Sequence, residues 1–145
     1  MKLFLFLLPL SVFSADLKDF STDYCTLFPE GTFKKPRAWA NCCLEHDLVY
    51  WAGGTQTMQD LSDIKLGECV TSKSSKFYGK LMYNGVRLGH YSPIKNKTKW
   101  GHGWGDDRGF QPLTSDEKLI IIEQVHKALI NTEYKANYLN LYIKN

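Results

Sequence analysis

Several features that would assign a chain at once are missing here. There is no Gly-x-Ser-x-Gly elbow and no serine with a histidine placed beside it, so a serine hydrolase has no support. No phosphate-binding glycine loop and no nucleotide fingerprint occurs. Charge of one sign is scarce: 18 Lys and Arg against 15 Asp and Glu leave a formal net charge of +3, too little to indicate a nucleic-acid binder. No internal repeat or low-complexity linker divides the chain. After residue 14 no segment is long and apolar enough to be a membrane span. Cysteine is sparing too, with four in 145 residues, yet their placement is the most informative thing in the chain.

The first residues read as a processing signal rather than as fold. Lys2 gives a basic start, Leu3 to Leu10 an apolar run too short to cross a bilayer comfortably, and Val12-Phe13-Ser14 a cleavage site, the pattern of a secretory leader over residues 1–14. Residues 15–145 then form one domain by size, in a secreted or periplasmic protein. Cys25, Cys42, Cys43 and Cys69 all fall in that part, and an even number in an exported chain argues for two disulfides. The neighbours Cys42 and Cys43 diverge on a helix and do not pair with each other. Two connectivities remain, each tying this segment to both Cys25 and Cys69.

The pattern is mainly α. Residues 16–36, with Pro29, Gly31 and Pro36, read as a loop around Cys25. Pro36 suits a first helical turn and Gly53-Gly54 an end, giving a helix from Pro36 to Ala52. Thr57 with Asp60 resembles a capping box, opening a second helix to about Thr71. A third covers Ser75 to Leu88, with apolar Phe77, Leu81, Met82, Val86 and Leu88. Tyr91 to Gln111, rich in Gly, Lys and Trp, is a long loop in which a short hairpin would fit. Thr114 with Glu117 is a capping box for a last helix carrying Leu119, Ile120, Ile122, Val125, Ala128 and Leu129.

Within the first helix, Trp39, Cys42, Cys43, His46 and Tyr50 fall at i, i+3, i+4, i+7 and i+11 and share one face, with Asp47 at its border. Alone, a His-Asp pair on a helix is more often a histidine beside a solvated acid. A second helix changes that balance. If Cys69 pairs with Cys42 across antiparallel helices, His46 lies about 6 Å beyond the bridge and Asp63 about 9 Å along its own helix in the same direction, nearly level. Asp60 would sit about 7–8 Å away in height, a poorer fit. Gly67 would allow close helix approach. A carboxylate facing a histidine fixes its tautomer and stabilises its protonated form.

Cys42-Cys43-x-x-His46-Asp47-x-x-Tyr50 resembles the active-site helix of secreted phospholipase A2, whose pattern is Cys-Cys-x-x-His-Asp-x-Cys-Tyr. A second match is independent of the first: in that family the catalytic Asp precedes a cysteine by six, as Asp63 precedes Cys69. The departures come as a pair, Val49 standing for one cysteine and Ser62 where its partner would be. The resemblance covers Tyr24 to Val70. It implies Cys25–Cys43 and Cys42–Cys69 disulfides, two antiparallel disulfide-linked core helices, and calcium-dependent hydrolysis of a phospholipid acyl ester without a covalent intermediate. In that scheme His46 is the base, Asp63 its orienting partner and Tyr50 a donor to Asp63, against the plainer reading of Tyr50 as a core residue. Ca2+ would be held by Asp47 and the carbonyls of Tyr24, Thr26 and Phe28, six to eight oxygens being its preference, although the family's loop glycines are absent here. Activity would fall as the pH drops below the ordinary histidine value of about 6.5.

Lys97, Lys99, Trp100 and Trp104 in the long loop are candidates for membrane contact, since Trp partitions to the headgroup level and Lys attracts anionic lipid. The plainer reading packs the tryptophans back on the domain. The expected partner is a phospholipid surface or lipid substrate, with no nucleic acid. Two other classes stand beside the hydrolase: a catalytically silent binding or structural protein on the same scaffold, and a zinc protein using Cys42, Cys43 and His46, whose spacing is unusual for that metal.

Overall fold

The computed structural model describes residues 16–91, 99–105 and 108–129. Among these the fold is mainly α, with helices α1 (Ala40–Ala52), α2 (Gln56–Lys73), α3 (Lys76–His90) and α4 (Ser115–Leu129) and a 3-10 turn at His102–Trp104. Neither a hairpin nor any β-strand occurs among the described residues, only an isolated bridge between Thr32 and Lys35. The expected leader over residues 1–14 and Lys97 lie outside the described residues.

The central element is α1. It is apolar nearly all round, with Ala40, Cys42, Cys43, Leu44, Leu48, Val49, Tyr50, Trp51 and Ala52 buried, the composition of a helix enclosed by its neighbours. It begins at Ala40, later than Pro36, because Trp39 is engaged elsewhere. The Trp39 amide donates to the Glu30 carbonyl at 2.9 Å, and its indole N–H to the Pro29 carbonyl at 2.6 Å. Residues 36–39 therefore wind as turns. The helix ends at Gly53 and Gly54, whose φ values of 72° and 132° favour glycine.

The second helix opens two residues ahead of the Thr57 box: Thr55 is the cap, its side chain accepting the Met58 amide. Asp60 is thereby free to leave the backbone and bind Arg87. Ser75 caps α3 in the same way, accepting the Tyr78 amide. Of the apolar residues expected on α3, Met82 is buried, while Phe77, Leu81 and Leu88 are exposed. Among the described helices α3 packs chiefly on α2, so one face is covered. The crossing is close: a Cβ on Gly79 would meet the Gly67 carbonyl oxygen at 2.5 Å. Gly67 thus serves the approach of α3.

The Thr114–Glu117 box forms as expected. The Glu117 amide donates to Thr114 Oγ1 at 3.2 Å and the Thr114 amide to Glu117 Oε2 at 2.8 Å. The buried stripe of α4 is Glu117, Ile121 and Val125, so Leu119 and Ala128 fall on the exposed side.

Two apolar clusters meet along α1. Near its start Cys25, Trp39, Cys42, Cys43, Leu66, Val70 and Met82 pack together. Near its end Leu48, Val49, Tyr50, Trp51 and Ala52 pack with Leu17, Trp100, Ile121 and Val125. The Gly/Trp/Lys loop closes this second cluster by satisfying carbonyls that a helix end leaves orphaned. The Gly101 amide donates to Tyr50 O at 2.7 Å, the Trp104 indole to Ala52 O at 2.7 Å and the Trp100 indole to Gly54 O at 2.9 Å. Membrane contact through these two side chains is therefore corrected: Trp100 is 7% exposed, Trp104 is half-buried, and both indole donors are spent inside the fold. Lys99 also has interactions within the chain.

Candidate active site

The two disulfides are Cys25–Cys43 and Cys42–Cys69, and no cysteine among the described residues is free. The zinc reading through Cys42 and Cys43 is thereby overturned, since neither sulfur remains a thiolate. The Cys42–Cys69 bridge sets α2 antiparallel to α1: going along α1 from Cys42 to His46 to Tyr50, the partners on α2 run back from Cys69 to Asp63.

Asp63 is the partner of His46, and Asp60 is not. His46 Nε2 lies 2.9 Å from Asp63 Oδ1, and the Tyr50 hydroxyl donates to the same oxygen at 2.8 Å. Asp60 is turned toward Arg87. The Asp63 side chain is 0% exposed and the His46 side chain 10%. Burial would raise the Asp63 carboxyl, but hydrogen bonds from His46, Tyr50 and Arg87 outweigh it and hold the group below its ordinary value. It is thus a carboxylate acceptor, which assigns the proton on His46 to Nε2 and leaves Nδ1 with the lone pair. Burial, then the Asp63 charge, push the Tyr50 hydroxyl well up, so it remains a donor.

Four participants carried no signal in the sequence. Arg87 Nη1 donates to Asp63 Oδ2 at 3.2 Å and also binds Asp60; these bonds hold its guanidinium charged. Gln59, 1% exposed, bonds His90 Nδ1 at 2.9 Å. The Thr22 hydroxyl donates to Asp47 Oδ2 at 2.6 Å. All four depend on the register of α3 or of the leading loop against α1 and α2, which no local pattern encodes.

His46, Asp47 and Tyr50 line a cavity of about 560 Å³, with residues 23–28 and Cys43 beside them and Leu66, Met82, Gly85, Val86, Gly89 and His90 opposite. Its size is that of a small-molecule site and its walls are mostly apolar, with a few polar groups converging.

Tyr24, Thr26 and Phe28 border the same cavity as Asp47. The bend expected from glycines is made by Tyr24 and Leu27, with φ values of 58° and 59°. The Tyr24 carbonyl accepts the Thr26 amide at 3.1 Å, using one of its two lone pairs. No group of three or more His, Cys, Asp or Glu side chains gathers among the described residues. A cation here would therefore depend on Asp47 and backbone carbonyls, an all-oxygen set whose chemistry fits calcium.

Comparison with family models, curated proteins and solved structures found no match to this chain. The functional reading accordingly rests on the site itself.

Proposed function

We propose that the chain is an exported, phospholipase A2-like hydrolase of phospholipid acyl esters. The observation that carries this reading is the His46–Asp63 pair, 2.9 Å apart with its carboxylate wholly buried, at the wall of an apolar cavity that also receives Asp47. An imidazole with Nε2–H tied to a carboxylate presents Nδ1 as the base. It takes a proton from water as that water attacks the acyl carbonyl, and returns it to the departing alkoxide. Asp63 orients the ring and stabilises the imidazolium that forms. Tyr50 fixes the carboxylate in turn, and the apolar walls take the acyl chain while limiting access of bulk water.

Asp47 and the carbonyls of Tyr24, Thr26 and Phe28 would hold calcium, which when bound supplies charge neutralisation for the oxyanion and the substrate phosphate. The disulfides and the leader-like start fit export to an oxidising compartment.

Fatty-acid release from mixed phospholipid vesicles, with calcium and with chelator, tests the reading when wild type is compared with His46→Gln. Calcium-dependent release abolished by the substitution is expected. No release from folded, disulfide-intact protein on any lipid mixture would overturn hydrolysis in favour of a catalytically silent binding scaffold.

A further inference from the structure

The leading loop is tied to α1 at two points one helical turn apart. Cys43 and Asp47 stand at i and i+4 on α1, about 6 Å along its axis. Cys25 is joined to the first by a disulfide, and the Thr22 hydroxyl donates to Oδ2 of the second at 2.6 Å. Between these ties lies Tyr24, whose carbonyl is among the proposed calcium ligands. Its backbone is left-handed, φ 58°, a conformation unfavourable to any residue that carries a Cβ. Thr22 holds it there. Having given its proton to Asp47, the Thr22 oxygen accepts the Tyr24 amide at 2.8 Å, a turn in which a side chain stands in for backbone. One hydroxyl thus fixes the acidic ligand and the residue that bears the neighbouring carbonyl.

Attachment of the segment to the domain does not require this bond. Upstream, the Lys18 amide donates to Gly103 O at 2.9 Å, and Lys18 O accepts the Trp51 indole N–H at 2.8 Å. Downstream, the Cys25–Cys43 bridge is covalent. Asp47, Tyr24, Thr26 and Phe28 border the cavity and Thr22 does not, so its hydroxyl holds Asp47 from behind that wall. Carboxylates that ligate metal ions are oriented in this way, by hydrogen bonds from outside the ligand set. A carboxylate and a loop already fixed in place also lose less freedom when a ligand arrives.

We infer that Thr22 is the positioning residue of the calcium site: its hydroxyl orients the Asp47 carboxylate and sets the left-handed turn at Tyr24, so that the turn forms without glycine. The inference rests on the proposed binding of calcium by Asp47 and the loop carbonyls. Its discriminating feature is that the hydroxyl matters and the bulk does not. Valine has the shape of threonine but neither donates nor accepts, so Thr22→Val unties the carboxylate and deprives the Tyr24 amide of its acceptor.

The test is isothermal titration of the full, disulfide-intact chain with calcium chloride. Wild type is compared with Thr22→Val, Thr22→Ala and Thr22→Ser, and near-UV circular dichroism without calcium reports whether each is folded. Thr22→Val and Thr22→Ala are expected to bind calcium about tenfold or more weakly, and Thr22→Ser close to wild type. Equal affinity in all four proteins overturns the inference while leaving calcium binding and hydrolysis in place. So does a Thr22→Ser affinity as low as that of Thr22→Val, since the methyl group would then be responsible. Loss of the near-UV signal in both hydroxyl-free variants also overturns it, because Thr22 would be holding the fold rather than the site. No calcium binding by wild type overturns the inference together with the part of the cation in the proposed function. The expected order of affinities without calcium-dependent fatty-acid release from vesicles supports the inference and overturns the hydrolase alone.

Discussion

Replacing Asp63 by Asn tests the site at its centre. The substitution keeps shape and leaves no cavity, but the wholly buried group currently accepts from three donors: His46 at 2.9 Å, Tyr50 at 2.8 Å and Arg87 at 3.2 Å. An amide has one oxygen, so its NH2 must face either Arg87 or the His46–Tyr50 pair, donor against donor. At least one bond to a charged group is lost, worth about 1.5–3 kcal/mol. Breaking a buried ion pair outright costs about 3–5 kcal/mol. Arg87 retains Asp60 and partial solvent access, so a loss of about 2–3 kcal/mol is expected, or about 6–9 °C in Tm at about 3 °C per kcal/mol. The sign with pH follows from the depressed carboxyl. The contribution is present above the unfolded value of about 3.9 and is lost as pH falls through the lower folded value. The gap between wild type and variant should therefore be full at pH 7 and close in strong acid. Urea denaturation across pH measures it, and hydrolysis should drop about 100-fold or more. Equal stability at neutral pH, or a gap unchanged into strong acid, refutes the assignment of an ionised, bonded Asp63.

Removing Arg87 as Arg87→Ala should cost about 1–3 kcal/mol by leaving Asp63 Oδ2 buried without its donor, whereas Asp60→Asn, on a 43% exposed side chain, should cost under about 1 kcal/mol; urea midpoints give the order. Gly79→Ala drives a methyl into the Gly67 carbonyl and Thr71 hydroxyl, so α2 and α3 must part and Tm should fall by an amount equivalent to about 1–3 kcal/mol. Ser62 Oγ is buried without a partner among the described residues, so Ser62→Ala should raise stability by about 1 kcal/mol in the same assay.

What was legible in the sequence was whatever short-range chemistry encodes. The Cys-Cys-x-x-His-Asp face, the level of Asp63 opposite His46, the glycine end of α1 and the Thr114–Glu117 cap all follow from helical rise and from caps acting within three or four residues. The start of α1 was not legible, because Trp39 is drawn out by the carbonyls of Pro29 and Glu30. Thr55, not Thr57, caps α2, and Asp60 pairs with Arg87 from α3 instead of closing a capping box, a tertiary contact that no local pattern encodes. The lysine-flanked tryptophans look amphipathic in one dimension, yet their indoles close the end of α1 from fifty residues away.

Cys42 and Cys43 are neighbours whose bridges leave in different directions, one to α2 and one to the leading loop, closing segments of 27 and 18 residues. Together they hold the partner of His46 and the loop beside Asp47 in place, and each contributes about 3–4 kcal/mol by constraining the unfolded chain. Oxidation is thus an assembly step for the whole apparatus. While its thiols are reduced, the chain lacks the ties that bring Asp63 to His46, so the geometry on which the proposed hydrolysis depends would arrive only with oxidation.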